Sequence, residues 1–163
     1  MTIYPGAIVD GVMPTKTELA ARVAELETQV AHLSEGAKVL TPSEAELQVR
    51  SALRGYDTVS QEHFVVMCFD SRSKLLASRV VAIGTVNTVE VHPRDVFREA
   101  VRMNATFVVV AHNHPSGDLG ASEADIELTE RLRRSGEVLG LPLLDHIIVA
   151  HSGSLSMASA GFI

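Results

Sequence analysis

Residues 107–125 read Phe107-Val108-Val109-Val110-Ala111-His112-Asn113-His114-Pro115-Ser116-Gly117-Asp118-Leu119-Gly120-Ala121-Ser122-Glu123-Ala124-Asp125. The first five are apolar and mostly β-branched, the signature of a short buried strand. Two histidines follow with one residue between them. Alternate side chains of a strand share a face, so His112 and His114 reach one point in space if the extended geometry continues that far. Pro-Ser-Gly-Asp then breaks the strand and forms a loop. Ser122 to Asp125 has the spacing of a helix N-cap, which brings Asp125 back toward the two imidazoles. Two neutral nitrogens and one carboxylate on a strand–loop–helix make a three-ligand metal site with a fourth position open to water, the arrangement of catalytic zinc. The competing reading is a pair of loop histidines beside an ordinary helix cap.

Working outward, Asp145 to Ala150 is a second buried strand, and Ser154 to Ala158 is compatible with a last edge strand. A helix is expected from Ser122 to about Arg134, ended by Gly136. Upstream, Pro93 opens a helix to about Met103, with Asn104 just beyond its end. His63 to Phe69 and Leu75 to Ile83 flank the turn Asp70-Ser71-Arg72-Ser73 as a hairpin, and Val86 to Val91 is a candidate continuation of the sheet. Thr41-Pro42-Ser43-Glu44 carries the N-cap, Pro and Glu pattern of a helix start, and that helix runs to about Leu53. Helices interleaved with strands indicate an α/β layered domain.

Residues 1–14 read as irregular. Thr15-Lys16-Thr17-Glu18 then has capping-box spacing, and Leu19, Val23, Leu26, Val30 and Leu33 follow at intervals of four, three, four and three. With Val at a and Leu at d, this short seam is compatible with a parallel two-stranded coiled coil. The expected consequence is a homodimer through residues 15–35. The alternative is an amphipathic helix packed on its own domain.

The composition bounds the class. In 163 residues, 46% are hydrophobic and 21% charged, without tryptophan. This suits one globular domain with an aliphatic core and a short appendage. A single cysteine, Cys68, excludes an internal disulfide and suits a cytoplasmic location; its place in an apolar run reads as a buried small hydrophobe. No signal peptide or membrane span is expected. The net charge of −6 disfavours non-specific binding of phosphate backbones, so a nucleic-acid partner is not expected. A zinc deaminase would need His-x-Glu and Pro-Cys-x-x-Cys, which one cysteine cannot supply.

The full pattern is His-x-His, ten residues, then Asp, with Ser three residues before that Asp. It resembles the motif of the JAMM (MPN-type) metallohydrolases, and the filling Asn113-His114-Pro115-Ser116-Gly117-Asp118 resembles the RadC branch. Gln61-Glu62-His63-Phe64, Gly84-Thr85-Val86, His92-Pro93-Arg94 and Leu144-Asp145-His146-Ile147-Ile148-Val149 agree. The resemblance spans roughly residues 38–163, leaving residues 1–37 as irregular N-terminus plus heptad helix. It implies a layered JAMM/MPN-type domain, a mixed curved β-sheet flanked by helices.

It further implies Zn²⁺ on His112, His114 and Asp125, Glu62 as general base, and Ser122 as an oxyanion donor. Glu90 is the rival base. Asp145-His146 has two readings: a carboxylate orienting a ligating imidazole, or a structural pair. His63, His92 and His151 are expected to be solvent-facing or structural, and Asn113 and Ser116 to shape the loop. The implied activity is a zinc metallopeptidase or isopeptidase acting on a peptide or an isopeptide-linked protein. Two other functions stay open: a DNA-repair-associated or nucleic-acid-processing protein, and a non-catalytic, metal-stabilised interaction module. RadC-like proteins commonly carry a helical module ahead of this domain. The residues before position 38 do not resemble it, so its role is not carried over.

Overall fold

The computed structural model describes residues 15–17, 20–22, 41–85 and 90–163. The chain divides into two units, residues 1–35 and 36–163. In the first, residues 16–17 and 20–22 are helical. Leu19, Val23, Leu26, Val30 and Leu33, which carry the expected dimer seam, lie outside the described residues, as do 86–89 of the candidate strand.

The second unit runs α1 (Pro42–Ala52), β1 (His63–Phe69), β2 (Leu75–Ile83), α2 (Pro93–Arg102), β3 (Phe107–Asn113), α3 (Glu123–Leu139), β4 (Leu143–Ala150) and β5 (Gly153–Ser156). The strands form one sheet in the order β2-β1-β3-β4-β5. β3 and β4 are parallel, joined by the crossover helix α3; the other pairings are antiparallel. This is the mixed sheet flanked by helices that the resemblance implies. Extra residues on β2 between the partners of Phe64 and Val65, and again near Phe69, bend the hairpin and curve the sheet.

Both faces of the sheet are covered, which explains why β1 is buried at every position rather than alternately. On one face Val65, Met67, Phe69, Val109, Ala111, Ile147 and Val149 pack against Ala45 and Val49 of α1 and Leu53 at its C-cap. On the other, Phe64, Val66, Cys68, Val108 and Val110 pack against Val96, Phe97 and Ala100 of α2 and Leu132 of α3. Cys68 is buried, and that burial pushes its thiol up to about 11, so it fills space rather than attacking substrates.

The caps are where the local code placed them for α1 and α3. Thr41 Oγ1 accepts the Glu44 N–H at 3.3 Å. Ser122 Oγ accepts the Asp125 N–H at 3.1 Å, while Asp125 Oδ2 accepts the Ser122 N–H at 2.8 Å, a reciprocal capping box. Three expectations need correction. Helix α3 does not stop at Gly136 but runs through it to Leu139, and Gly140, at φ 68°, is the left-handed residue that ends it. Glu90 and Val91 do not extend the sheet; Val91 is instead buried in the core. The last strand begins one residue earlier than expected, at Gly153, and ends at Ser156.

Candidate metal centre

Strand register assembles the site. Phe64 of β1 pairs with His112 of β3, so the position two residues before Phe64 comes opposite the position two residues after His112. Those positions hold Glu62 and His114. By the two-residue period, Glu62 shares a face with Phe64, and His112 with Val110, the face covered by α2 and α3. Extended pairing does continue past β3: the His114 N–H donates to the Val149 carbonyl at 2.9 Å. The Gly117 N–H then closes a turn onto the His114 carbonyl at 3.1 Å. Gly117 sits at φ +84°, and a Cβ there would lie 2.3 Å from the His151 ring, so glycine is required on both counts.

Glu62, His112, His114, Ser122 and Asp125 are thereby brought together. His112 Nε2 and His114 Nε2 lie 2.8 Å apart. Asp125 Oδ1 is 3.1 Å from His112 Nε2 and Asp125 Oδ2 is 3.7 Å from His114 Nε2. Glu62 Oε1 is 3.8 Å from His114 Nε2. Ligand atoms of Glu62, His112 and His114 all fall within 4.8 Å of one another, a cluster that could hold a metal ion. Each imidazole is engaged from behind. His114 Nδ1 is 2.8 Å from the Asp118 carbonyl, which only accepts, so Nδ1 carries the hydrogen and a neutral ring presents a lone pair at Nε2. His112 Nδ1 is 2.8 Å from His146 Nε2. The His112 ring also stacks on Phe64, with centroids 6.0 Å apart and planes inclined by 9°.

Two nitrogens converging with carboxylates at such distances need a positive charge among them, a shared proton or a cation. The donor set, imidazole nitrogen with carboxylate oxygen, fits a zinc-type ion. The electrostatics agree. Burial pushes the Asp125 carboxyl up, but the adjacent His112 and His114 rings, with the Ser122 hydroxyl adding to them, outweigh it and hold the group far below the usual carboxylate range. His114 is raised, first by the Asp125 carboxylate beside it and against its own burial. Glu62 is raised by burial, which the charges of His112 and His114 only partly offset. Complete burial keeps His146 well below the ordinary imidazole range.

The two carboxylates differ in how they are held. Asp125 Oδ2 accepts the Ser122 backbone N–H at 2.8 Å and the Ser122 hydroxyl at 2.6 Å, which leaves Oδ1 toward His112. No hydrogen bond to the Glu62 carboxylate occurs among the described residues. Its backbone is fixed instead: the Glu62 N–H donates to Thr85, and the Gly84 N–H donates to the Glu62 carbonyl. Glu90 lines the same cavity from its rim, but its carboxylate is 86% exposed and 3.5 Å from His92.

Other sequence readings resolve locally. Asp145 does not face an imidazole; it accepts the backbone N–H groups of His146 and Ala158 and the Ser156 hydroxyl, and so ties β4 to the turn after β5. His63 is buried rather than solvent-facing, with Nδ1 3.1 Å from the Gln61 carbonyl. Sequence reasoning read His146 only as half of the Asp145-His146 pair and missed Thr129; both are within 1% of full burial. An unpaired histidine in an otherwise apolar strand is the signal that marks the first of them.

The site opens into a cavity of about 610 Å³. Among the described residues its wall carries the carboxylates of Glu62, Glu90, Asp118, Asp125 and Glu127, against one guanidinium, Arg131, which donates to the Val91 carbonyl. No helix among the described residues is long and apolar enough to cross a membrane.

Comparison with known proteins identifies a family. The family model described as RadC-like JAB domain matches residues 39–162. A UPF0758 protein of Picosynechococcus sp. is 43% identical over 129 residues, covering 78% of this chain and 52% of its own length. One from Thermosynechococcus vestitus is 36% identical over 151 residues, covering 91% of this chain and 59% of its own. One from Desulforamulus reducens is 36% identical over 164 residues, covering 99% and 71%. The chain thus spans little more than half the length of the first two, and the UPF0758 name states no activity.

Proposed function

We propose, for a chain that belongs to the RadC-like JAB domain family, that this domain is a zinc-dependent hydrolase cleaving an amide bond, peptide or isopeptide, with water. The observation that carries the reading is the convergence of His112 Nε2, His114 Nε2 and the Asp125 carboxylate, with a second carboxylate, Glu62, close by but not pinned to them. His112, His114 and Asp125 would hold the ion. When bound, zinc supplies Lewis acidity and brings the pKa of a coordinated water toward ~7.

The remaining chemistry falls to the chain. Glu62, buried and therefore avid for protons, takes one from the attacking water as its oxygen adds to the amide carbon. It then delivers that proton to the leaving nitrogen as the C–N bond breaks, giving a carboxylic acid and an amine. The Ser122 hydroxyl now donates to Asp125. Turned toward the cavity, it would donate to the carbonyl oxygen as negative charge develops there. The acidic cavity wall disfavours a polyanion and so speaks against nucleic acid as the substrate.

The test is a screen of peptides and of lysine ε-amino isopeptides with zinc-loaded protein, beside a chelated control and Glu62→Gln. Cleavage that depends on both zinc and Glu62 is the expected result. Cleavage that survives chelation, or no zinc uptake at all, would overturn the reading.

A further inference from the structure

Behind the two converging imidazoles lies a third. His146, on β4 opposite Val110, is fully buried. Its Nε2 is 2.8 Å from His112 Nδ1, and its Nδ1 is 2.6 Å from Thr129 Oγ1. The same Thr129 oxygen is 2.5 Å from the backbone carbonyl of Asp125, one turn earlier in α3.

The hydrogens along this chain can be assigned. The Asp125 carbonyl only accepts, so at that distance the Thr129 hydroxyl hydrogen must lie on it. Met157 Sδ, at 3.5 Å, is a weaker and more distant acceptor. The Thr129 oxygen then accepts the hydrogen on His146 Nδ1. His146 has no carboxylate on either nitrogen and no access to solvent, so a charged ring there would be costly. A neutral ring with its hydrogen on Nδ1 has a lone pair on Nε2. That lone pair accepts the hydrogen on His112 Nδ1. His112 is left with a lone pair on Nε2, pointing at His114 and Asp125.

We infer that Thr129 and His146 are positioning residues that set the tautomer and ring orientation of His112 for metal binding. The chain starts at the Asp125 carbonyl, passes through Thr129 and His146, and ends at His112, whose unprotonated Nε2 lies 3.1 Å from Asp125 Oδ1, two ligand atoms that a metal ion would join. One ligand imidazole is thus set through the first turn of the helix that bears the ligand carboxylate, so docking of α3 on β4 and completion of the site are one event. Partners of this kind are typically worth 10–100-fold in metal affinity.

This inference rests on the metal-binding reading above, and its test separates the two. Thr129→Val removes the hydroxyl at nearly constant shape, and Thr129→Ser restores it. Zinc affinity of the full chain, measured by chelator competition, should fall about 10–100-fold in Thr129→Val and return in Thr129→Ser. The cobalt(II) absorption spectrum should shift in the first and not in the second. His146→Leu should follow Thr129→Val. A second readout needs no metal: ¹⁵N–¹H correlation spectra of metal-free protein at about pH 8, above the ordinary imidazole range, should show His112 and His146 protonated on Nδ1, and Thr129→Val should disturb both. Wild-type zinc affinity and spectrum in Thr129→Val and His146→Leu would overturn the inference while leaving the metal site standing. A metal-free His112 with no hydrogen on Nδ1 would overturn it too. Absence of zinc binding in the wild type would overturn the functional reading, and this inference with it.

Discussion

The Asn113 side-chain oxygen accepts the backbone N–H of His63 at 2.8 Å. The amide nitrogen of Asn113 donates to the carbonyls of Gln61 at 2.9 Å and Thr58 at 3.1 Å. Glu62 sits between two of these anchors. The residue between the two proposed ligand histidines therefore holds the backbone on either side of the proposed base, and the alternation of the strand makes this possible: His112 and His114 face α3 while Asn113 faces the opposite way.

Asn113→Ala should leave the buried His63 N–H without this acceptor and take one donor from the Gln61 and Thr58 carbonyls, at a cost of about 1–3 kcal/mol in unfolding free energy. Zinc stoichiometry should be kept, because no ligand is touched, while turnover falls as Glu62 loses its fixed position. Asn113→Asp keeps the shape but cannot donate to two carbonyls, so it should behave like Asn113→Ala. Urea unfolding together with elemental analysis reads both effects. Wild-type stability in both variants would mean that the Glu62 segment is held elsewhere.

Ser122 is tied to Asp125 in both directions, accepting its N–H and donating to its carboxylate. Ser122→Ala should cost about 1 kcal/mol through the lost cap and lower turnover by roughly 10²–10³-fold, the worth of one oxyanion donor. Ser122→Thr should restore the stability. Asp125→Asn, by contrast, should lose activity through weaker zinc binding. Calorimetry and zinc titration on the three proteins separate cap, donor and ligand; full turnover in Ser122→Ala would remove the serine from the chemistry.

Much of the site was legible because it is local. His112, His114, Ser122 and Asp125 fall within one strand–loop–helix, where periods of two and a cap rule suffice. Glu62 was reachable only through the family resemblance, since its placement depends on Phe64 pairing with His112, a register that no local pattern encodes. His146 was ambiguous for a similar reason: its partners come from β3 and α3, and the adjacent Asp145 offered a plausible but incorrect orienting group. Gly136 was misread because a glycine was taken for a source of backbone freedom. Its role is the missing side chain, since a Cβ there would lie 2.4 Å from the Leu141 carbonyl oxygen and 3.1 Å from the Phe97 ring.

That reading of Gly136 predicts a reversal of helix propensity. Alanine in a helix interior normally gains up to about 1 kcal/mol over glycine. Gly136→Ala should instead destabilise, by about 1–3 kcal/mol, because the clash is with backbone and an aromatic ring in the core. Chemical denaturation measures it, and a stabilised variant would show that the contact between α3 and the start of β4 is loose.

Acid should release the metal. Both imidazoles must be neutral to bind it, and His114 is raised, chiefly by the Asp125 carboxylate beside it. Protons therefore compete at a higher pH than for a free imidazole, and zinc affinity should begin to weaken above ~6.5. In metal-free protein the same shift works the other way: protonated His114 contributes stability that is complete below ~6.5 and lost as pH rises through the folded value. Zinc titrations and melting curves from about pH 6.5, above which the lowered His146 adds no pH dependence, to about 9 should show opposite trends; an affinity flat across that range would exclude the histidines as ligands.

Glu62→Gln tests the proposed base and its cost to the fold together. Burial raises the Glu62 carboxyl, so the folded chain holds this proton more tightly than the unfolded chain does. The associated stability is complete below the unfolded value of ~4.3 and lost as pH rises through the higher folded value. Glutamine has the same shape and never ionises, so it escapes that loss. Metal-free Glu62→Gln should accordingly melt above the wild type at about pH 8 and converge with it toward about pH 4. With zinc bound, the affinity should be close to that of the wild type because Glu62 is not assigned as a ligand, while turnover should fall by roughly 10²–10⁴-fold. Glu90→Gln, on the exposed rim, should change neither stability nor turnover. Should Glu62→Gln lose its zinc instead, Glu62 would belong with His112 and His114 as a ligand, and the proton would need another carrier.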